Sequence, residues 1–274
     1  GYMIDKKDFQ KEISPYFNPN LNTYQAALIT NNCWQATPGL VINYIRNIAI
    51  QHKGILLEDC QLLEVQKNDK GFVALVYTHH KEYIEYHCEH FVNALGCNAS
   101  KFAAQLGLEI GLYPVKHQAF ITRRLPLMGK NGDALDMLID RRHYKGFSAV
   151  YGQQFAETGQ IIGCASPASD SMEAGRDIKV NSKEFLEICA EVFSDWIPQL
   201  GSVGFQAFWA GYYTEPRYIV DPDNGLLVGM RGHGFMLGQY LAKIYVDKYL
   251  GKKVPGYMDR LSLTGDGLSE TAFK

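Results

Sequence analysis

The sequence predicts a mixed α/β protein built from two intertwined modules. Three observations carry this: a helix–strand unit lies near the start, a second closes the chain, and a long β-rich stretch fills the middle. That order is not a plain alternation of strand and helix, so one doubly wound sheet does not account for it. The 274 residues are 46 % apolar and 20 % charged, a globular composition that excludes a disordered chain. Such a length buries a sizeable core without disulfide staples.

Taken in order, residues 5–12 suit a short polar helix that stops before Pro15, and residues 14–36 are turn-rich. Thr37–Pro38 reads as an N-cap followed by proline at the first helical position. Val41, Tyr44, Ile45, Ile48 and Ala49 follow at helical spacing, Gly54 ends the helix, and Ile55–Leu57 starts a strand. From 60 to 94 the text is β-like, with turns at Asn68–Gly71 and near His80. Residues 98–107 suit a short helix stopped by Gly107, and 113–122 alternate like a strand. Strands are expected at 135–139, 145–151 and 159–164. Asn181–Ser182 is expected to cap an amphipathic helix running through Trp196, whose Phe185, Leu186, Ile188, Cys189, Val192 and Phe193 form a packing face. Strands at 203–213 and 217–220 precede the closing unit.

Charge and cysteine usage narrow the function. The net charge is −2, from 27 basic and 29 acidic residues, with no basic stripe. Nucleic acid and anionic membranes therefore have no electrostatic claim on the chain, and its interleaved tyrosines and lysines do not read as an RNA-stacking surface. Six cysteines at 33, 60, 88, 97, 164 and 189 contain no CxxC, and read as reduced, mostly buried thiols of a cytoplasmic protein. No signal-like stretch or run of 18 apolar residues occurs. The patch His79, His80, His87, Cys88 and His90 lacks metal-site geometry, because neighbours on a strand point to opposite faces. Cys97 has no partnered base in sequence, so a nucleophilic role is not expected.

The strongest chemical signal is Gly225-Leu-Leu-Val-Gly-Met-Arg-Gly-His-Gly-Phe-Met-Leu-Gly238. A buried strand runs into Gly229, Gly232 and Gly234 and then into a helix from about Phe235 to Leu250. Glycines admit close approach of backbone N–H groups, and a helix N-terminus adds partial positive charge. Together they suit an anionic group or an electron-rich ring carbonyl, although a tight strand-to-helix turn has the same composition. The chain contains no GxGxxG.

Four stretches in order resemble the D-amino-acid oxidase/glycine oxidase/sarcosine oxidase family of FAD-dependent oxidoreductases. Trp34–Pro38 with its helix and Gly54-Ile-Leu-Leu resembles "P … helix … G-v-x-i", and Phe91-Val-Asn-Ala-Leu-Gly96 resembles "V-V-N-A-A-G". Tyr113-Pro-Val-Lys-His-Gln118 resembles "P-v-r-G-Q". Trp209-Ala-Gly-Tyr-Tyr-Thr214, Ile219-Val-Asp221 and Gly232-His-Gly-Phe-Met-Leu237 together resemble "W-a-G … t-x-D … G-H-G". The resemblance covers residues 5 to 255 or so and departs in one respect: the family's N-terminal βαβ unit with GxGxxG has no counterpart in this sequence.

The resemblance implies a partial FAD/NAD(P)-binding-type domain at 1–110 and 206–274, interleaved with an antiparallel-sheet substrate domain at 111–205. It implies FAD held without a covalent link, since Gly211 stands where sarcosine-oxidase-like members carry the linking cysteine. Gly229, Gly232, His233, Gly234, Phe235, Met236 and Leu237 would face the flavin, with Ala94 and Gly96 near the dinucleotide and the Leu62 backbone near adenine. On the substrate side, Tyr213 occupies the position where many members place a carboxylate-clamping arginine, and Arg217 could supply a guanidinium instead, or pair with Glu215 or Asp221. Arg123, Arg124, Arg141 and Arg142 are further guanidinium candidates, and His117 stands where the family has glycine. The implied reaction is hydride transfer to flavin from a small amino acid, N-alkyl amino acid or 2-hydroxy acid. The alternatives are a non-catalytic subunit or a small-molecule-binding module without flavin. Without the nucleotide-binding segment an apolar face would stand open, so a second chain or self-association is expected to cover it.

Overall fold

The computed structural model describes residues 1–168 and 183–267. The expected caps at Asn181 and Ser182 lie outside them. The elements in chain order are β1 (Tyr2–Asp5), α1 (Phe9–Glu12), β2 (Ala26–Ile29), α2 (Pro38–Gln51), β3 (Gln61–Asn68), β4 (Gly71–Tyr77), β5 (Tyr83–Cys88) and α3 (Ala99–Gln105). They continue with β6 (Tyr113–Thr122), β7 (Leu138–Asp140), β8 (Phe147–Gln154), β9 (Ile161–Pro167), α4 (Lys183–Trp196), β10 (Phe205–Glu215), β11 (Ile219–Asp221), β12 (Leu226–Val228) and α5 (Gly234–Tyr249). The mixed α/β class expected from the sequence is the one observed.

Two compact units divide the chain, one of residues 1–33 and 115–212, the other of 34–114 and 213–274. The first 33 residues thus pack with the sheet-rich unit, where the sequence grouped them with the other. The reason is local. β2, unsuspected in a turn-rich stretch, pairs antiparallel with β1, and Phe9, Ile13, Phe17 and Leu21 enter the core of that unit.

The first unit is a five-stranded sheet in the order β10-β6-β9-β8-β7. Its core sets Phe120, Val150, Ile161 and Ala165 against Phe185, Ile188, Cys189, Val192, Phe193 and Trp196 of α4. Side chains at i, i+3, i+4 and i+7 form one apolar helix face, and each buried one contributes about 1.5–3 kcal/mol. Two strand glycines make room for aromatic rings: a Cβ on Gly163 would lie 2.3 Å from Phe120 Cζ, and one on Gly152 2.4 Å from Phe193 Cζ. At the β7 edge, buried Asp140 accepts from the hydroxyls of Tyr24 and Tyr144 and from Arg142 Nη2 at 2.7 Å.

His117 lies half-buried on β6, and burial lowers its imidazole pKa to about 4. An imidazole in the unfolded chain titrates near 6.5. Between the two values the unfolded state binds more protons, so the native state loses stability as pH falls from about 6.5 towards 4. His117→Gln is expected to flatten that slope in melting curves taken from pH 7 to pH 4.5. An unchanged slope would show that His117 does not carry it.

In the second unit β3, β4 and β5 form an antiparallel meander. β11 and β12 form a short antiparallel pair. β11 alternates between two cores. Ile219 faces Ala99, Ala103, Ile110, Leu112, Leu226 and Val228, while Tyr218 and Val220 face Leu241, Ile244, Tyr245, Met258 and Leu261. α2 forms with Pro38 in its first turn, yet Thr37 makes no side-chain cap and none of the fourteen helical residues is buried. Ile55–Leu57, expected as a strand, pairs with no described strand.

The six cysteines are free. Cys189 alone is buried, and Cys33 and Cys97 are exposed, so the expectation of mostly buried thiols is corrected. Cys33, Cys60 and Cys97 lie in loops and a turn, and Cys88 and Cys164 on strands, outside the apolar helix stripe that buries Cys189. No described helix is long and apolar enough to cross a membrane.

Candidate active site

All the expected cofactor residues and both expected substrate residues fall in the second unit. Their arrangement starts at Asn93. Its N–H donates to Gly225 O at 2.8 Å, and its carbonyl accepts from Leu227 N at 3.1 Å, which makes a parallel bridge to Leu226. Its side chain, buried, donates to Ala99 O at 2.9 Å. At this bridge the two segments run in one direction, and each is followed by a glycine with positive φ, 55° at Gly96 and 73° at Gly229. Ligand sites of parallel strands form at such carboxyl ends. Ala94 and Gly96 are exposed there.

Beyond Gly229 the chain makes a turn of 3-10 helix over Arg231–His233 and enters α5. No side chain caps α5, so its first N–H groups remain available to an acceptor, and Phe235 and Met236 are exposed beside them. His233 Nδ1 lies 2.5 Å from the hydroxyl of buried Tyr218, which anchors the ring. A Cβ on Gly238 would meet nothing within 4 Å. These features fit the electron-rich edge of a flavin: open backbone donors at a helix N-terminus, with room beside the helix at Gly238.

Leu62 stands apart from this group. It is half-buried on β3 opposite Val76, beside a register shift, and its strand reaches α3 through Val65 N–Gln105 Oε1 at 2.9 Å. Tyr213 lies against the glycine loop, and a Cβ on Gly232 would sit 2.7 Å from its Cε2. Arg217 is held elsewhere. Its Nη1 donates to Gly265 O at 2.7 Å and its Nη2 to Leu263 O at 2.8 Å, so neither Glu215 nor Asp221 is its partner. Glu215 is taken instead by Arg231. The sequence reading missed that pair and the Tyr218–His233 contact, since both join residues about sixteen apart across a turn whose shape no local pattern specifies.

In the first unit, Arg123, Arg124 and Arg141 are exposed and Arg142 is paired with Asp140. His79 and His80 lie against each other at the β4–β5 turn, their rings tilted by 43° with centroids 3.8 Å apart, while His90 Nε2 lies 2.7 Å from the Tyr245 hydroxyl. Among the described residues no group of three or more His, Cys, Asp or Glu is placed to hold a metal.

The structure is similar to solved ones. Glycine oxidase from Geobacillus kaustophilus superposes with a TM-score of 0.73 at 18 % identity, covering 96 % of this chain and 66 % of that one. L-proline dehydrogenase from P. horikoshii gives 0.72 at 22 % identity, with 96 % and 67 % covered. Glycine oxidase from Bacillus cereus ATCC 14579 gives 0.73 at 16 % identity, with 94 % and 67 % covered. At these identities the likeness establishes the fold, and the chain spans about two thirds of each protein's length. No curated protein matches in sequence. A family model, DAO, described as FAD dependent oxidoreductase, matches residues 2–248. That match takes in the Asn93 bridge, the glycine turns and the open start of α5, and the chain belongs to the DAO family of FAD-dependent oxidoreductases.

Proposed function

We propose that this chain is the catalytic part of an FAD-dependent oxidase or dehydrogenase acting on a small amino acid, N-alkyl amino acid or 2-hydroxy acid. The observation that carries the reading is the uncapped start of α5 behind a glycine loop with positive φ at Gly229. FAD, when bound, supplies the two-electron acceptor for the substrate's Cα–H. The chain's own contribution is electrostatic and positional. Backbone N–H groups of residues 234–236 hold negative charge at the ring edge, and preorganised donors of this kind need no rearrangement during reaction. His233 is oriented by Tyr218. Tyr213 supplies a hydroxyl near the loop, suited to a substrate carboxylate. Because Arg217 is engaged by the carbonyls of Leu263 and Gly265, its role in this reading is to fix the 263–265 turn, and a direct clamp requires it to leave those acceptors.

An absorbance spectrum of the native protein tests the reading: flavin bands at roughly 370 and 450 nm support it. Their absence after addition of FAD and of any copurifying chain defeats it. Tyr213→Phe is expected to raise KM for the acid substrate about ten-fold, the loss of one hydrogen bond to a charged group, while leaving the flavin spectrum unchanged.

We further propose that a second chain or a second copy covers α2, which makes this chain a subunit. Leu40 is 70 % exposed, Tyr44 67 % and Ile55 86 %, and Ile42, Ile45, Ile50, Leu56 and Leu57 are exposed with them. A helix and following segment with this much bare apolar surface belong against a partner. The double variant Leu40→Glu, Tyr44→Glu is expected to keep its fold by circular dichroism and to elute as a lone chain. If the unmodified protein already elutes alone, this part of the proposal is wrong.

A further inference from the structure

Three points of the glycine loop rest on one strand end. Tyr213, Glu215 and Arg217 alternate along β10 and its extension. The Tyr213 ring lies against Gly232, and the Arg217 carbonyl stands 1.8 Å from where a Gly229 Cβ would be. Between them, Glu215 Oε2 accepts from Arg231 Nε at 2.5 Å. The pair is well sheltered, with the Glu215 side chain 7 % exposed and that of Arg231 17 %. Arg231 also has φ of 51°, in the left-handed region, at the centre of the loop. That conformation costs an arginine roughly 1–2 kcal/mol and persists only where the surroundings impose it. Among the described residues, the other non-glycine residues with positive φ are asparagines, an aspartate and lysines. Among these and Arg231, the arginine is the residue held by a buried ion pair.

We propose that Glu215 is a positioning residue: its pairing with Arg231 imposes the left-handed turn that aims the N–H groups of Gly234–Met236 at the cofactor. The inference rests on the flavin reading above. The pair also cancels the guanidinium charge, so that backbone donors and the start of α5 set the potential at the ring edge. Removing Glu215 releases the turn and leaves a sheltered positive charge beside it. Removing Arg231 alone frees the turn and strands a buried carboxylate. Replacing both, with glycine at 231 to accept positive φ without strain, gives a neutral loop that retains the turn.

Two measurements on the full chain test this. Amide hydrogen exchange without FAD reads the turn itself. Glu215→Gln is expected to speed exchange over residues 229–237 at least ten-fold with little change elsewhere, and the double variant Glu215→Gln, Arg231→Gly is expected to restore most of the protection. FAD titration, followed by quenching of flavin fluorescence with any copurifying chain present, is expected to give about ten-fold weaker binding for Glu215→Gln and partial recovery in the double variant. Unchanged exchange, or faster exchange spread evenly over the unit, overturns the positioning role. So does a released turn that binds FAD as tightly as before. If the unmodified chain binds no FAD, the flavin reading fails, and the cofactor part of the proposal falls with it.

Discussion

Replacing Asp140 with alanine is expected to be among the most destabilising single changes in the sheet-rich unit. The residue is 3 % exposed and its carboxylate accepts two tyrosine hydroxyls, from Tyr24 and Tyr144. Arg142 donates to it from Nη2 at 2.7 Å and from Nε at 3.0 Å, and from its backbone N–H at 2.9 Å. The Arg142 guanidinium lies 4.5 Å from the centre of the Tyr24 ring, and Trp196 Nε1 donates to the Tyr24 hydroxyl at 3.2 Å. One carboxylate thus ties the N-terminal segment, the β7 edge and the end of α4 together. Removing one partner of such a cluster costs about 3–5 kcal/mol, because the donors left behind lose their acceptor. In a unit of this size that corresponds to a fall in Tm of roughly 10 °C. Burial pushes the Asp140 carboxyl up, but the hydrogen bonds from Arg142, Tyr144 and Tyr24 outweigh it and hold the group below the usual carboxylate range. A depressed native value stabilises above the unfolded value, about 3.9, and that stability is lost as pH falls through the native one. The gap in Tm between the unmodified protein and Asp140→Ala is therefore expected to be full at pH 7 and to close below pH 4. A variant melting within a degree of the original at pH 7 would remove the cluster from any account of stability.

How much of this was legible in the sequence depends on the range of the interaction. α4 was readable because Phe185, Ile188, Cys189, Val192, Phe193 and Trp196 repeat at helical spacing, and all six are buried. The β3–β5 meander was readable because each turn carries its own signal. Gly71, with φ of 131°, lies where a Cβ would strike Cys88 O at 2.3 Å. β2 was not readable, since Ala26–Ile29 is four residues long and is a strand only because β1 lies beside it. Ile55–Leu57 failed in the opposite direction: the apolar run has the composition of a buried strand but has no described partner strand to pair with. At the site, the glycines announced the turn, whereas its shape is set by Glu215 and Tyr213 across the loop. Arg217 misled for the same reason, because nothing local tells an arginine whether carbonyls or a carboxylate will meet it.

Gly229→Ala is expected to disable the candidate site most directly. The residue has φ of 73°, which an alanine adopts only with strain of roughly 1–2 kcal/mol. Its Cβ would lie 1.8 Å from the Arg217 carbonyl oxygen and 3.3 Å from Leu112 Cδ1. The first obstacle is backbone, so it cannot rotate away. The loop must lift from the strand end, and with it go the Tyr213–Gly232 contact and the alignment of α5's first N–H groups. A total cost of about 3 kcal/mol or more follows from strain and overpacking together. Gly238→Ala provides the contrast. It sits within α5 at ordinary helical φ with nothing within 4 Å of a new Cβ, and alanine is favoured over glycine in helices by up to about 1 kcal/mol. The second variant is therefore expected to melt slightly above the original protein and the first well below it. If the two shift Tm equally, the close approach at Gly229 is not what shapes the loop. If Gly229→Ala lowers Tm yet binds FAD with unchanged affinity, the loop is structural and the flavin is held by other residues.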